Sequence, residues 1–194
     1  MNKINPRPVV LAAFILAAGI FRMATASTHS SLSSFTPLGA MALFGGFYYS
    51  DKWKAYLLPL LTLWITDIFL NRYLFLGYWT IFYQGAAWVY GSFAFMVFIG
   101  QQMKVVSVRN IAIACVAAAV SHWLITDFGV WLWGCTGTSE DIPYTKDFSG
   151  LIDCYRMAFP SMRNLLIGNF VFSAIFFGSF ELMQKRFPQL SPAE

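Results

Sequence analysis

Charge is what this sequence has least of: Asp, Glu, Lys and Arg make up 11% of it, where a soluble domain carries roughly a quarter. Hydrophobic residues make up 58% and aromatics 19%, and apolar runs approach the about 20 residues that cross a bilayer as a helix. A water-soluble globule is excluded, and lipid is part of this protein's solvent. The net charge of +4 sits mainly at the ends of apolar runs, which reads as a topology signal and not as a nucleic-acid footprint. Cysteine is scarce as well: Cys115, Cys135 and Cys154 form no CxxC pair and no ligand spacing, so no metal is expected. Cys135 and Cys154 fall in one loop and could pair in an oxidising compartment; buried or free thiols are the alternative. No phosphate-binding P-loop and no HExxH occurs, so neither ATP hydrolysis nor zinc hydrolysis by those routes is expected, and no cofactor is implied.

What the sequence does have is six apolar runs, at 9–23, 35–49, 55–70, 84–100, 111–125 and 165–182. They predict an all-α integral membrane bundle of about six transmembrane helices forming one domain over 1–194, with a long external loop at 126–163. The second run holds Pro37, Gly39, Gly45 and Gly46 and the third holds Pro59. Membrane helices tolerate such residues where neighbours re-satisfy the backbone, so these two are expected inside the bundle. The first run, preceded by Lys3 and Arg7 and ending near Ala24-Thr25-Ala26, also fits a cleaved signal peptide. Its small residues, Ala12, Ala13, Ala17 and Gly19, favour retention as a packing helix.

Eight of the 13 basic residues, Lys3, Arg7, Lys52, Lys54, Lys104, Arg109, Lys185 and Arg186, fall on one side if every run crosses. The positive-inside rule makes that side cytoplasmic, with both termini there, in an inner (cytoplasmic) membrane. The other side receives a Ser/Thr-rich loop (24–34) containing His29 and the aromatic-rich 126–163 segment, expected to fold over the outer mouth of the bundle.

Asp67 lies in the apolar run LTLWITDIFL, where a charge costs about 2.5 to 3.5 kcal/mol on insertion scales. It either contacts a substrate or ion, or is a helix-end carboxylate that snorkels to the interface or pairs with nearby Arg72. His122, one helical turn before Thr126 and Asp127, either binds a ligand or packs as a hydrogen-bonded histidine. The aromatics from Tyr73 to Tyr90 suit a membrane interface, while Gly77, Thr80 and Gln84 make the segment from Leu74 to Tyr83 wet enough to line a cavity. A rhomboid-like protease needs a serine in a GxSG setting and a later histidine; Ser92 in YGSF precedes His122, but the surrounding motif is missing. No enzymatic activity is expected.

The segment FTPLGAMALFGGFYYSDKWKAYLLPLLTLWITDIFL, with WVYGSF at 88–93, SHWLITDFGVWL at 121–132 and GLIDCYRMAFP at 150–160, resembles an uncharacterised family of six-span bacterial membrane proteins over most of the chain. That family in turn resembles the substrate-binding S components of energy-coupling factor (ECF) vitamin transporters, cobalamin-type members being nearest in size and layout. The resemblance implies a six-helix bundle that binds a vitamin at its outer face and docks through small residues of the first helix, here Ala13 and Ala17, onto an ATP-driven module. Thr66 stands where the family pattern favours Ser, and Asp127 where it often has Asn. A sulfur ligand to the corrin metal, as in one cobalamin-type member, has no cysteine to match it between the third and fourth runs; His29, His122, Cys135 and Cys154 are the alternatives.

The expectation is therefore an ECF S-component-like membrane protein for uptake of a vitamin or small nutrient, cobalamin first, acting by binding and reorientation with no nucleic-acid partner. Its expected substrate-binding residues are His29, Asp67, Arg72, Tyr83, His122, Asp127, Trp131, Tyr155 and Asn164. The alternative is a structural or assembly subunit of a membrane complex. A filled core in place of a pocket of about 300 to 1,000 Å³ would distinguish it.

Overall fold

The computed structural model describes residues 6–26, 34–133 and 144–191. Among them the chain forms six α-helices and no strand: α1 (Arg7–Ala26), α2 (Leu38–Tyr48), α3 (Lys52–Leu70), α4 (Ala86–Gln102), α5 (Val108–Trp133) and α6 (Phe148–Arg186). They lie over the six apolar runs and make an all-α bundle. α1, α5, α6 and α3 with its π-helical continuation Asn71–Phe75 are long and apolar enough to cross a membrane. Large apolar side chains such as Leu16, Ile20, Ile113, Ile167 and Ile175 face outward, the arrangement expected when lipid covers the bundle.

The short α2 is the axis. Ten of its 11 residues are buried, and it packs against each of the other five α-helices, which is where a helix apolar all round belongs. Its glycines set the spacing. A Cβ at Gly46 would lie 2.2 Å from the carbonyl oxygen of Val97, and one at Gly100 of α4 would lie 2.4 Å from that of Leu43. The two backbones touch, as small residues permit in membrane interiors. Gly45 similarly receives the Pro59 ring of α3, and Phe44 packs among Phe14, Phe176, Phe177 and Phe180.

The start of α1 and the ends of α2 and α6 meet at one pole. Arg7 donates to the Tyr48 carbonyl (3.4 Å), the Tyr48 hydroxyl to Glu181 (2.5 Å) and the Tyr49 hydroxyl to the Pro8 carbonyl (3.1 Å).

The 126–163 segment differs from the expected loop. α5 continues to Trp133 and α6 begins at Phe148, so most of the segment is helical. Its polar residues conceal a helical period: the Tyr155 hydroxyl donates to the Leu124 carbonyl (2.9 Å), Trp123 Nε1 to the Tyr155 carbonyl (3.3 Å), and the Trp123 ring meets Tyr155 and, one turn on, Phe159. The Asp147 carboxylate accepts from Gly150 N (2.8 Å) and caps the first turn of α6. At 39 residues, α6 is about 58 Å long at 1.5 Å per residue, against a bilayer core of about 30 Å. With α5 it forms a helical hairpin that outreaches the rest of the bundle.

Candidate functional site

Opposite the Arg7–Tyr48–Glu181 pole, Gly19 lets α1 approach α3 closely; a Cβ there would lie 2.6 Å from Thr62 Cγ2. One turn later Arg22 reaches across. Its Nη2 lies 2.6 Å from Asp67 Oδ1 and its Nη1 2.6 Å from Thr66 Oγ1. The second Asp67 oxygen accepts from the Tyr90 hydroxyl of α4 at 2.8 Å. Asp67 is 5% exposed, so the ion pair and its two hydrogen bonds tie three helices together away from water.

Arg72 is therefore not the partner of Asp67. Five residues on a helix turn the side chain about 140° around the axis, and Arg72 instead donates to the Gly77 carbonyl and lies over the rings of Tyr73 and Trp79. Nothing but the apolar setting of Arg22, in the last turn of a membrane-length run, marked it in the sequence as a charge in need of a partner.

Beside this network the six helices enclose a cavity of about 830 Å³, lined by the end of α1, residues 34–36, the end of α3, the start of α4, the second half of α5 and the first half of α6. Its walls are largely aromatic and aliphatic, with Phe21, Phe35, Phe75, Phe93 and Trp123 among them; Arg22, His122 and Asp127 are the charged or titratable members. A second, open depression of about 540 Å³ carries Asp67, Tyr78, Tyr83 and Gln84, and shares Arg22 and Phe75 with the first. Burial and the nearby Asp67 carboxylate push the Tyr83 phenol above its usual range.

His122 is held by a short chain of bonds. Ser92 Oγ lies 2.7 Å from the Val89 carbonyl oxygen and 2.7 Å from His122 Nδ1. One hydroxyl proton cannot serve both contacts. Both are hydrogen bonds only if Ser92 donates to Val89 and Nδ1–H donates to Ser92. In that tautomer the lone pair of the neutral ring is on Nε2. Nε2 has no hydrogen-bond partner among the described residues and is not among their sealed-off unpaired atoms, and His122 is one of the residues that line the cavity. Ser92, fully buried, is the residue that sequence reasoning noticed only as a candidate nucleophile.

The other expected site residues divide. Asp127 joins His122 in the main cavity and Tyr83 lines the second depression. Trp131 and Tyr155 instead clasp α5 to the start of α6: Trp131 Nε1 donates to the Thr145 carbonyl at 2.9 Å, and Tyr155 lies in a shallow apolar groove. Helical continuation of 126–163 carries both away from the main cavity. Asn164 is buried in α6 outside the cavity linings. His29 and Cys135 lie outside the described residues, and the Cys154 thiol donates to the Asp127 carbonyl at 3.4 Å. Ala13 and Ala17 are exposed on the outer face of α1, whereas Ala18 and Gly19 face inward.

A family model described as a family of unknown function, DUF6580, matches residues 2–190. No curated protein and no solved structure matches the chain.

Proposed function

The chain belongs to the DUF6580 family, and we propose that it is a membrane-embedded capture protein for a small organic nutrient of vitamin type, working by binding and reorientation without covalent chemistry. The observation that carries this reading is the cavity of about 830 Å³ at one end of the bundle, within the range that holds drug-sized molecules, with apolar walls and a few converging polar groups. An assembly subunit has no need of such a space in its core. Ser92 is fully buried with its proton directed to the Val89 carbonyl, which argues against a nucleophilic role.

In this proposal the cavity end faces outward and the pole of Arg7, Lys185 and Arg186 faces the cytoplasm, the membrane being the cell's inner one, in accord with the distribution of basic residues. The exposure of Ala13 and Ala17 on α1 supports docking there of a separate ATP-driven module of the ECF kind. Cobalamin heads the panel of cargoes because of the resemblance of the chain to cobalamin-type S components.

Mass spectrometry of whatever co-purifies with the protein, followed by calorimetric titration with cobalamin and a vitamin panel, tests the reading. Saturable binding weakened by Ala158→Trp, which fills the cavity wall, is expected. A protein that binds no panel member and is recovered only within a larger stable complex would instead be an assembly subunit.

A further inference from the structure

The capture reading leaves open the chemistry of the cargo, and the charges around the cavity constrain it. One basic and one acidic group at this end cancel: Arg22 lines the cavity but is committed to Asp67, 2.6 Å away. Asp127 has no such partner; among the described residues it makes no ion pair. Lys146, which reaches the last turn of α5, gives two of its three donors to the carbonyls of Trp131 and Leu132 and is not among the residues that line the cavity. The adjacent Thr126 hydroxyl donates to the His122 carbonyl at 2.8 Å. Among the described residues the cavity therefore carries one carboxylate that no cation pairs, within largely apolar walls, where an unpaired charge is costly.

His122 adds a second acceptor from the same helix. The Val89–Ser92–His122 chain uses Nδ1–H internally and leaves the Nε2 lone pair without a partner among the described residues. Two acceptors, one anionic, with no free cation beside them among the described residues select against anions and for groups rich in N–H donors.

Resting on the capture reading, we propose that the cargo is an organic cation: a protonated amine, amidine or similar group on an aromatic or otherwise apolar body, with its charged N–H group donated to the Asp127 carboxylate and a separate donor elsewhere on the cargo meeting His122 Nε2. The aromatic walls, Phe21, Phe35, Phe93 and Trp123 among them, hold the body and suit a delocalised charge.

Benzamidine, benzamide and benzoate share one shape and differ in charge, so their affinities for the full-length protein in nanodiscs, measured by saturation-transfer NMR and titration, read the preference directly. Benzamidine is expected to bind at least tenfold more tightly than benzoate, with benzamide between. Asp127→Asn is expected to erase the order and Asp127→Glu to keep it; the pair separates loss of charge from loss of fold. Equal binding of all three, or an order unchanged in Asp127→Asn, overturns the cationic cargo. If that binding is also blocked by Ala158→Trp, the capture reading survives the loss. Binding of none of the three, nor of any vitamin, overturns both.

Discussion

At the scale of single residues, the buried pair Arg22–Asp67 is the most consequential contact. Removing one partner leaves a charge in a site 5% exposed, so Arg22→Met is expected to destabilise the bundle by about 3–5 kcal/mol, whereas Arg22→Met with Asp67→Asn recovers much of the loss. Unfolding midpoints in mixed micelles measure both. The tautomer of His122 is a second residue-scale property. With only two histidines in the chain, two-bond ¹H–¹⁵N spectra are expected to show one ring protonated at Nδ1, and Ser92→Ala is expected to release it to the mixed or Nε2-protonated pattern. An Nε2–H ring in the unmodified protein would remove the second acceptor argued for the cavity. Outside the spans, the Asp147 carboxyl is held below its ordinary value by hydrogen bonds from the Gly150 amide and the Thr145 hydroxyl. A depressed folded-state value means its stabilisation is present above the unfolded carboxylate range and fades as pH falls through the folded one. Asp147→Asn is expected to flatten that acid limb in pH-dependent unfolding of the α6 start.

At the scale of elements, glycine decides which helices touch. The Cβ of a Gly46→Ala or Gly100→Ala variant meets a backbone carbonyl at 2.2 or 2.4 Å, while Gly91 of α4 and Gly178 of α6 have nothing within 4 Å. The first two substitutions are expected to destabilise by about 1–3 kcal/mol or more, since backbone cannot step aside. The latter two should be neutral or stabilising by up to about 1 kcal/mol, through helix propensity alone. Thermal unfolding of the four variants side by side checks the contrast. The α5–α6 hairpin rests on directional bonds as well as packing, so Tyr155→Phe, which loses the bond to the Leu124 carbonyl, is expected to cost about 0.5–1.5 kcal/mol.

At the scale of the whole molecule, one pole gathers the start of α1 and the ends of α2 and α6 and the other opens into the cavity, which makes the proposed orientation testable. A single cysteine introduced at Lys54 is expected to react with a membrane-impermeant maleimide only after the membrane is opened, and one at Gln84 in intact cells; the reverse pattern would invert the proposed sidedness. Much of the architecture was legible from composition: long apolar runs with few charges can be stable only as helices in lipid, and the glycine- and proline-rich second run could pack only inside. The candidate site was legible in part. Asp67, His122 and Asp127 stood out because ionisable groups in apolar runs require a reason, but their partners lie elsewhere in the chain. Arg22 meets Asp67 across 45 positions, and Ser92 meets His122 across 30. Local sequence pointed to Arg72 as the nearer cation and to a loop at 126–163, because proximity along the chain says nothing of direction around a helix axis, and polar spacing hides a helix whose aromatics pack on a neighbour. The sequence by itself determined that this is a helical protein with lipid for solvent; it points to both the second and the third runs as inside the bundle, of which α2 is buried on nearly all sides while α3 exposes Trp53, Leu57 and Ile65. Only the tertiary structure decided which charges cancel and which cavity carboxylate has no ion-pair partner among the described residues, because burial and pairing depend on what the other helices bring to the same place.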